Sequence, residues 1–290
     1  MKVLSLFDGI SCGMVALERA KIPVERYVAY EIDEEAMKIS KYNYPQIEQK
    51  GNVFDATYNF SEFDLLIGGS PCTYWSVAAS GTGQRETTSS GLGWDLFSQY
   101  VRALKEAKPK YFLYENNYSM ARAIKEAITN ELGVEPIYIN SSLVSAQNRK
   151  RLYWTNIPNI ALPNDKGIML YDIINWHEKQ FRPVGKWVFN TWGKAGKKKK
   201  IEMLHNINSP KSHTVTTKNC HGMAYYLNGD KTQYCNLSIT DLEQLQTLPI
   251  GYVDNVDIKR AAKEKAIGNG WTVDVIAHIL SHIPNATKCN

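Results

Sequence analysis

Short apolar segments alternate with helix-like segments over about the first 155 residues, and no other feature of the sequence constrains the fold as strongly. Strands are predicted at 3–7, 27–32, 63–67 and 111–114, and helices at 14–20, 34–42 and 94–107. This alternation predicts an α/β fold, in which helices cover both faces of a parallel sheet. In such sheets, ligands bind beyond the carboxyl ends of the strands.

The alternation is lost from about residue 160, where aromatic residues, glycines and lysines dominate. This stretch contains Trp187, Trp192 and four consecutive lysines at 197–200. We therefore predict a smaller, irregular domain at 161–262. The larger domain would comprise 1–160 plus 263–290, and an apolar helix predicted at 272–282 would pack back on the sheet.

The composition is ordinary for a globular protein, since 43% of the 290 residues are hydrophobic. The net charge of +5 permits an acidic partner such as nucleic acid without requiring one. The five cysteines include no Cys-x-x-Cys pair, which argues against a disulfide framework or a zinc site and favours a reducing compartment. Because Asp8 interrupts the first apolar run, we expect no signal peptide, and we expect no membrane span.

A glycine turn follows the first predicted strand and reads FDGISCG at 7–13. Glycines there allow a tight turn and a close approach of the backbone to a ligand. Glu31 ends the second predicted strand, where a carboxylate can accept hydrogen bonds from ribose hydroxyls. The third glycine of the dinucleotide fingerprint is missing, which favours a nucleoside without a pyrophosphate. The alternative is an ordinary turn beside a surface glutamate.

Three further segments carry candidate catalytic residues. Cys72 follows Pro71 at the end of a predicted strand, where a thiol can act as a nucleophile if its thiolate is stabilised. Glu115 directly follows an apolar strand and could hold a proton and donate it. Arg149 and Arg151 alternate on a predicted strand, so that both guanidinium groups would share one face and bind a phosphate or a base carbonyl. The alternatives are an inert packed cysteine, a capping glutamate and a solvated basic edge.

In this order, the segments resemble the motifs of the cytosine-5 DNA methyltransferases. The shared motifs are Phe-x-Gly, Pro-Cys, Glu-Asn and Gln-x-Arg-x-Arg. Three C-terminal segments are also similar to that family: the threonine-rich 209–217, the segment 242–249 that ends in proline, and 267–273, which reads IGNGWTV. The likeness covers nearly the whole chain except about 160–205, and its motifs are most similar to the de novo branch.

The resemblance implies a Rossmann-like, S-adenosylmethionine-dependent methyltransferase sheet with a smaller irregular DNA-recognition domain. It also implies S-adenosyl-L-methionine as the cofactor, with Glu31 at the ribose and with Leu96 and Trp271 closing the pocket. Asn52 replaces an acid that is common at its position beside the adenine. The full set of implied cofactor residues is Phe7, Asp8, Gly9, Ile10, Cys12, Glu31, Ile32, Asn52, Val53, Leu96, Asn269, Gly270 and Trp271.

The resemblance implies a covalent mechanism, because carbon 5 of cytosine is too weak a nucleophile to attack a sulfonium methyl group. Cys72 would add to carbon 6 and so convert the ring to an enamine. Glu115 would bind the ring nitrogen and the exocyclic amine. Arg149 and Arg151 would orient the base carbonyl and the nearby backbone. The base that removes the carbon 5 proton is not identified.

The implied partner is double-stranded DNA, from which the target cytosine is flipped. The loop at 77–94 would close over the base, and the region at about 161–235 would read the DNA sequence. Two departures from the family pattern concern this site. Asn117 stands where valine is usual, and Thr73, Tyr74 and Trp75 follow the cysteine in an atypical combination.

Two other functions stay open. One is the same chemistry on transfer RNA, although the Cys-Phe-Thr tripeptide of that branch is absent. The other is a catalytically silent DNA-binding homologue, although such proteins usually lose the nucleophile. We expect a monomeric, cytoplasmic enzyme of bacterial or phage origin, related to those of restriction–modification systems. A nuclear location stays open because the lysines at 197–200 could imitate a targeting run.

Overall fold

The computed structural model describes residues 1–59, 62–76, 85–183, 205–217, 225–230 and 232–284. The predictions for the loop at 77–84, for Trp187 and Trp192, and for the lysines at 197–200 lie outside the described residues. The chain forms two compact units. The first unit comprises Met1–Asn140, Lys150–Leu162 and Val273–Asn290, and the second comprises Ser141–Arg149 and Pro163–Thr272. The segments at 141–149 and 263–272, which the sequence placed with the larger domain, therefore group with the second unit.

A seven-stranded sheet with the order β3-β2-β1-β4-β5-β7-β6 forms the centre of the first unit. Its strands are β1 Lys2–Leu6, β2 Arg26–Tyr30, β3 Glu48–Gln49, β4 Leu65–Gly68, β5 Tyr111–Asn117, β6 Ile137–Asn140 and β7 Lys150–Thr155. The helices of this unit are α1 Cys12–Arg19, α2 Glu34–Asn43, α3 Leu92–Ala107, α4 Arg122–Leu132 and, late in the chain, α8 Val273–Leu280. The α/β fold class is confirmed.

One part of the sheet differs from the predicted parallel arrangement. The strand β7 runs antiparallel to both of its neighbours, β5 and β6. A parallel connection needs a crossover of a dozen or more residues, usually a helix. Between β6 and β7 the chain has only the segment 141–149, which contains a single 3₁₀ turn, Ser141–Leu143. The antiparallel return follows from that short connection.

The core of the first unit contains a cluster of aromatic side chains beneath α3. Phe97 and Tyr100 of α3 contact Tyr114 of β5, with ring centroids 5.1 and 4.8 Å apart. Tyr114 in turn lies 5.8 Å from Trp154 of β7. All four side chains are fully buried. This apolar layer fixes the strand ends that carry the candidate catalytic residues.

The helix α8, which the sequence predicted to pack back on the sheet, packs against α1 of the first unit. Arg19 of α1 and Asp274 of α8 form an ion pair at 2.6 Å. The buried residues of α8 are spaced as expected for one face of a helix: Val273, Val275, Ile276, Ile279 and Leu280.

The second unit is less irregular than the sequence indicated. It contains a four-stranded sheet with the order β8-β11-β10-β9. The strands are β8 Arg182–Pro183, β9 His205–Asn206, β10 Tyr225–Leu227 and β11 Gln233–Asn236, and the helices are α5 Leu170–Ile173, α6 Ile239–Leu245 and α7 Arg260–Asn269. Across the described part of both units, every helix is too short or too polar to traverse a bilayer.

Candidate active site

The turn after β1 has an unusual backbone. Phe7, Gly9 and Ser11 all have positive φ angles, of 58°, 60° and 59°. Such conformations are costly for non-glycine residues and are concentrated at functional sites. The backbone N–H of Gly9 donates to the Glu31 carboxylate at 2.8 Å. The turn is thereby fastened to the end of β2.

Glu31 lies directly after β2, close to where the sequence placed it. Its second carboxylate oxygen accepts from the backbone N–H groups of Ile32 and Asp33, both at 2.8 Å. Both oxygens therefore have main-chain donors, which hold the carboxylate in one orientation at the sheet edge. The oxygen that accepts from Gly9 has a further lone pair, so the group can still accept a ligand hydroxyl.

Asp8 has an internal role that the sequence did not indicate. The hydroxyls of Ser5, Ser11 and Tyr27 donate to its carboxylate at 2.6, 2.5 and 2.7 Å. Burial raises the pKa of Asp8, while these three hydroxyl donors act to lower it. Because its carboxylate is committed to these internal donors, Asp8 serves to shape the turn.

Two other residues of the turn, Ile10 and Cys12, are buried. Phe7, Asp8 and Gly9 are partly exposed.

A second loop lies at the sheet edge beyond β3. Asn52 caps the 3₁₀ turn Val53–Asp55 by accepting from the backbone N–H of Phe54 at 3.1 Å. Arg102 of α3 donates to the carbonyl of Val53 at 2.9 Å, which holds the loop against α3. Ile32 and Phe54 are 71% and 47% exposed, which is unusual for large apolar side chains. The sequence analysis did not single out Phe54.

Cys72 begins the 3₁₀ turn Cys72–Tyr74, which follows β4. Its carbonyl accepts from the backbone N–H groups of Trp75 and Ser76, at 3.1 and 3.0 Å. The residue is partly exposed and its thiol is free. Leu96, which was predicted to line the cofactor, is a half-buried residue of the first part of α3.

Glu115 lies within β5 and not after it, since the strand extends to Asn117. Its carboxylate is 2.8 Å from Nε of Arg151 on β7, and both side chains are almost buried. Arg151 is the register partner of Asn117, two residues from Glu115 on the same face. The antiparallel register thus brings the guanidinium group to the carboxylate diagonally, so that Arg151 balances its charge and fixes its orientation.

The prediction that Arg149 and Arg151 share one strand face is wrong. Arg149 precedes β7, which begins at Lys150, and Arg149 belongs to the second unit. There its buried guanidinium group donates to three carbonyls, those of Val215, Gly268 and Gly270, at 2.9, 3.2 and 2.9 Å. Local alternation could not reveal this, because the partners are distant in sequence.

The ends of β4 and β5 are joined by a buried polar network. The hydroxyls of Ser70 and Tyr114 are 2.6 Å apart. Nδ2 of Asn116 donates to the Ser70 carbonyl and to the Tyr114 hydroxyl, both at 3.1 Å. Asn117, the unusual residue, donates to Asn116 Oδ1 at 3.0 Å and accepts from the Ser119 hydroxyl at 2.8 Å. The polar side chain at 117 therefore has two partners that valine would lack.

A family model described as "C-5 cytosine-specific DNA methylase" matches residues 1–182. The chain belongs to this family. It is 28% identical over 295 residues to the orphan methyltransferase M.SPRI of Bacillus phage SPR, covering 95% of this chain and 61% of that protein. It is 31% identical over 185 residues to the type II methyltransferase M.BanI of Aneurinibacillus aneurinilyticus, covering 58% and 42%. The chain thus spans less than two thirds of the length of these methylase relatives.

The fold is also that of known methyltransferases. A Dnmt2 methyltransferase from S. pombe superimposes with a TM-score of 0.69 and 15% identity, over 97% of each chain. The Entamoeba histolytica methyltransferase EhMeth superimposes with a TM-score of 0.68 and 15% identity, again over 97% of each chain. At 15% identity, the similarity to these two structures shows a shared fold and nothing about the substrate.

The three C-terminal residues that were predicted to contact the cofactor belong to the second unit. Asn269 is the last residue of α7, and Gly270 and Trp271 follow it. The Gly270 carbonyl accepts from Arg149 at 2.9 Å and from Gln246 at 3.0 Å. These contacts hold the segment in place within its own unit, and the cofactor contacts of the three residues stay predictions.

Proposed function

We propose that this protein transfers the methyl group of S-adenosylmethionine to carbon 5 of cytosine in double-stranded DNA, with Cys72 as the nucleophile. The observation that carries the proposal is the pairing of β4 with β5, which are parallel neighbours. Their carboxyl ends place the Cys72 turn and the Glu115–Arg151 pair at the same edge of the sheet. Ligands of such sheets bind at this edge.

The residues at the other end of that edge fit a nucleoside cofactor. An added Cβ on Gly9 would meet nothing within 4 Å, so the turn leaves open space beside the backbone. Glu31 offers an oriented carboxylate to ribose hydroxyls, and the exposed Ile32 and Phe54 offer apolar surface to an adenine ring. When bound, S-adenosylmethionine supplies an electrophilic methyl group.

The chain's own groups then act on the cytosine. The Cys72 sulfur forms a bond to carbon 6, and the electron pair of the 5,6 double bond makes carbon 5 nucleophilic. Glu115, oriented by Arg151, binds the ring nitrogen and the exocyclic amine as charge develops on the ring. After methylation, a base takes the carbon 5 proton, the double bond re-forms and the thiolate leaves. The cytosine must be flipped out of the duplex to meet these groups.

Orphan and type II methyltransferases among the relatives support DNA as the substrate. We propose that part of the second unit reads the DNA sequence, with lysines contacting phosphates and a few side chains contacting base edges. Arg149 then acts on the backbone of its own unit, through the carbonyls of Val215, Gly268 and Gly270, and not on the base.

The first test uses labelled S-adenosylmethionine and duplex DNA of mixed sequence. The wild-type protein is expected to transfer label to DNA, and Cys72→Ala is expected to transfer none above background. Cys235→Ala is the matched control, because it makes the same chemical change at a cysteine of the second unit that forms no disulfide. Equal transfer by the wild-type protein and Cys72→Ala would rule out the covalent mechanism.

The substrate is tested separately by offering duplex DNA and transfer RNA in parallel. We expect label in DNA, and sequencing of bisulfite-treated DNA should show methylated cytosines in a fixed sequence context. A preference for transfer RNA would overturn the substrate assignment and leave the chemistry intact. Binding of DNA without any transfer would identify a silent homologue.

A further inference from the structure

The carboxylate of Glu86 lies between the nucleophile turn and the start of α3. One oxygen accepts from the indole N–H of Trp75 at 3.1 Å, and the other accepts from the backbone N–H of Gly93 at 3.1 Å. The backbone N–H of Glu86 donates to the carbonyl of Tyr74 at 2.8 Å. One residue therefore makes two contacts with the turn that contains Cys72 and one with the first turn of α3.

Two glycines, Gly91 and Gly93, border this carboxylate. A Cβ on Gly93 would lie 2.6 Å from one Glu86 oxygen and 2.7 Å from the Trp75 indole nitrogen. A Cβ on Gly91, whose φ is 90°, would lie 2.5 Å from the other oxygen. Glycine at these two positions is what allows a carboxylate to reach an indole and a helix N-terminus together. The anion is also favourable at the positive end of the helix.

The contact reaches the nucleophile through Trp75. This side chain is fully buried and packs against Phe97 of α3, with ring centroids 6.4 Å apart. Its backbone N–H donates to the carbonyl of Cys72 at 3.1 Å. An ordinary helix cap would need only the Gly93 contact. The second oxygen is used by the indole of Trp75, one of the three residues after the cysteine that depart from the family pattern.

We propose that Glu86 is a positioning residue that fixes the Cys72 turn against α3 through the Trp75 indole. The proposal rests on the proposed methyl transfer, because the group that Glu86 positions is its nucleophile. α3 carries Leu96, so the same contact sets the nucleophile turn in register with the helix predicted to border the cofactor. Arg85, the preceding residue, donates to the Ser119 carbonyl beyond β5 at 2.9 Å and anchors the segment on its other side.

The test compares steady-state methyl transfer to duplex DNA of mixed sequence by five proteins. In Glu86→Gln, the amide group can satisfy only one of the two N–H donors. We expect kcat to fall by about tenfold to a hundredfold, as one unsatisfied buried donor implies, while KM for DNA and for S-adenosylmethionine changes by less than about twofold. Trp75→Phe keeps an aromatic side chain, although a smaller one, and removes the N–H donor, so kcat should also fall.

The double variant distinguishes a specific contact from general loosening. With the indole N–H removed, the amide oxygen that Glu86→Gln introduces can still accept from Gly93. Glu86→Gln should therefore lower kcat by a smaller factor in the Trp75→Phe background than in the wild type. Glu131→Gln is the matched control, because Glu131 pairs with Lys105 on an exposed part of the surface. Its kcat should equal that of the wild type.

Three outcomes would overturn the proposal: a wild-type kcat for Glu86→Gln, a change confined to KM, or strictly additive effects in the double variant. If Glu86→Gln does not fold, as judged by its thermal unfolding, the Trp75→Phe comparison decides alone, and an unchanged kcat there counts against the proposal. A wild-type protein that transfers no methyl group at all would instead refute the proposed function, on which the role of Glu86 depends.

Discussion

At the scale of single residues, the Glu115–Arg151 pair is the most consequential contact of the candidate site. The two side chains are only 11% and 13% exposed, so solvent screens the interaction weakly. Removal of one partner would leave the other charge nearly buried without this ion pair, which costs more than loss of an exposed ion pair. The planar guanidinium group also fixes the carboxylate in a way that an ammonium group does not.

Arg151→Ala is expected to lower kcat for methyl transfer by at least about a hundredfold, since an uncompensated charge of this kind costs about 3–5 kcal/mol. The kcat of Arg151→Lys should lie between those of Arg151→Ala and the wild type, because lysine keeps the positive charge and lacks the planar guanidinium group. The control is Arg122→Ala, which removes an arginine that pairs with Glu126 on an exposed part of α4. If Arg151→Ala kept the wild-type rate, Glu115 would not need this partner.

At the scale of elements, the hydroxyl of Tyr114 joins the ends of β4 and β5. It contacts the Ser70 hydroxyl and accepts from Asn116, and all three residues are buried. Ser70 lies two residues before Cys72, and Asn116 directly follows Glu115. The network therefore sets the distance between the two strand ends on which the proposed chemistry depends.

Tyr114→Phe is expected to lower the free energy of unfolding by about 1–3 kcal/mol, because it leaves buried polar groups without a partner. Urea denaturation measures this loss, and kcat should fall as well. Tyr100→Phe is the matched control in the same aromatic cluster, since the contact of its hydroxyl with the Leu66 carbonyl is long, at 3.4 Å. An equal decrease in the free energy of unfolding for the two variants would contradict a special role for the Tyr114 network.

The sequence predicted the elements of the first unit well, because hydrophobic periodicity is a local property. The predicted strands and helices agree with β1, β2, β4, α1, α2 and α3 to within a few residues at their ends. Contacts between distant segments were not accessible in this way. The alternation of residues around Arg149 predicted a strand. The backbone N–H of Asn148 instead donates to the carbonyl of Ser212 at 2.9 Å, and this distant partner determines the local backbone conformation. Glu86 was overlooked because its partners, Trp75 and Gly93, belong to no motif.

At the scale of the whole molecule, the second unit is assembled from segments that are far apart in the chain. Gln246 is fully buried and uses both ends of its amide group. Its nitrogen donates to the carbonyls of Ile267 and Gly270 at 2.9 and 3.0 Å. Its oxygen accepts from Gln147 at 3.1 Å and from Thr272 at 2.9 Å. One side chain thus holds together three stretches of this unit.

Gln246→Leu is expected to lower the free energy of unfolding by about 3–5 kcal/mol, since several buried polar groups lose their partner at once. Hydrogen exchange should show faster exchange of the amides at 267–270. Gln244→Leu is the control, because it makes the same chemical change at a half-buried position of α6. If exchange at 267–270 stayed as slow as in the wild type, Gln246 would not organise this unit.

The pairing of α1 with α8 has a consequence for synthesis on the ribosome. Arg19 and Asp274 are 255 positions apart, yet their helices pack on each other. At a translation rate of about 5–20 residues per second, the face of α1 that α8 covers stays exposed for roughly ten seconds or longer after α1 has been made. During that delay, the apolar face of α1 can associate with other unfolded chains, so the yield of folded protein depends on how soon α8 is made.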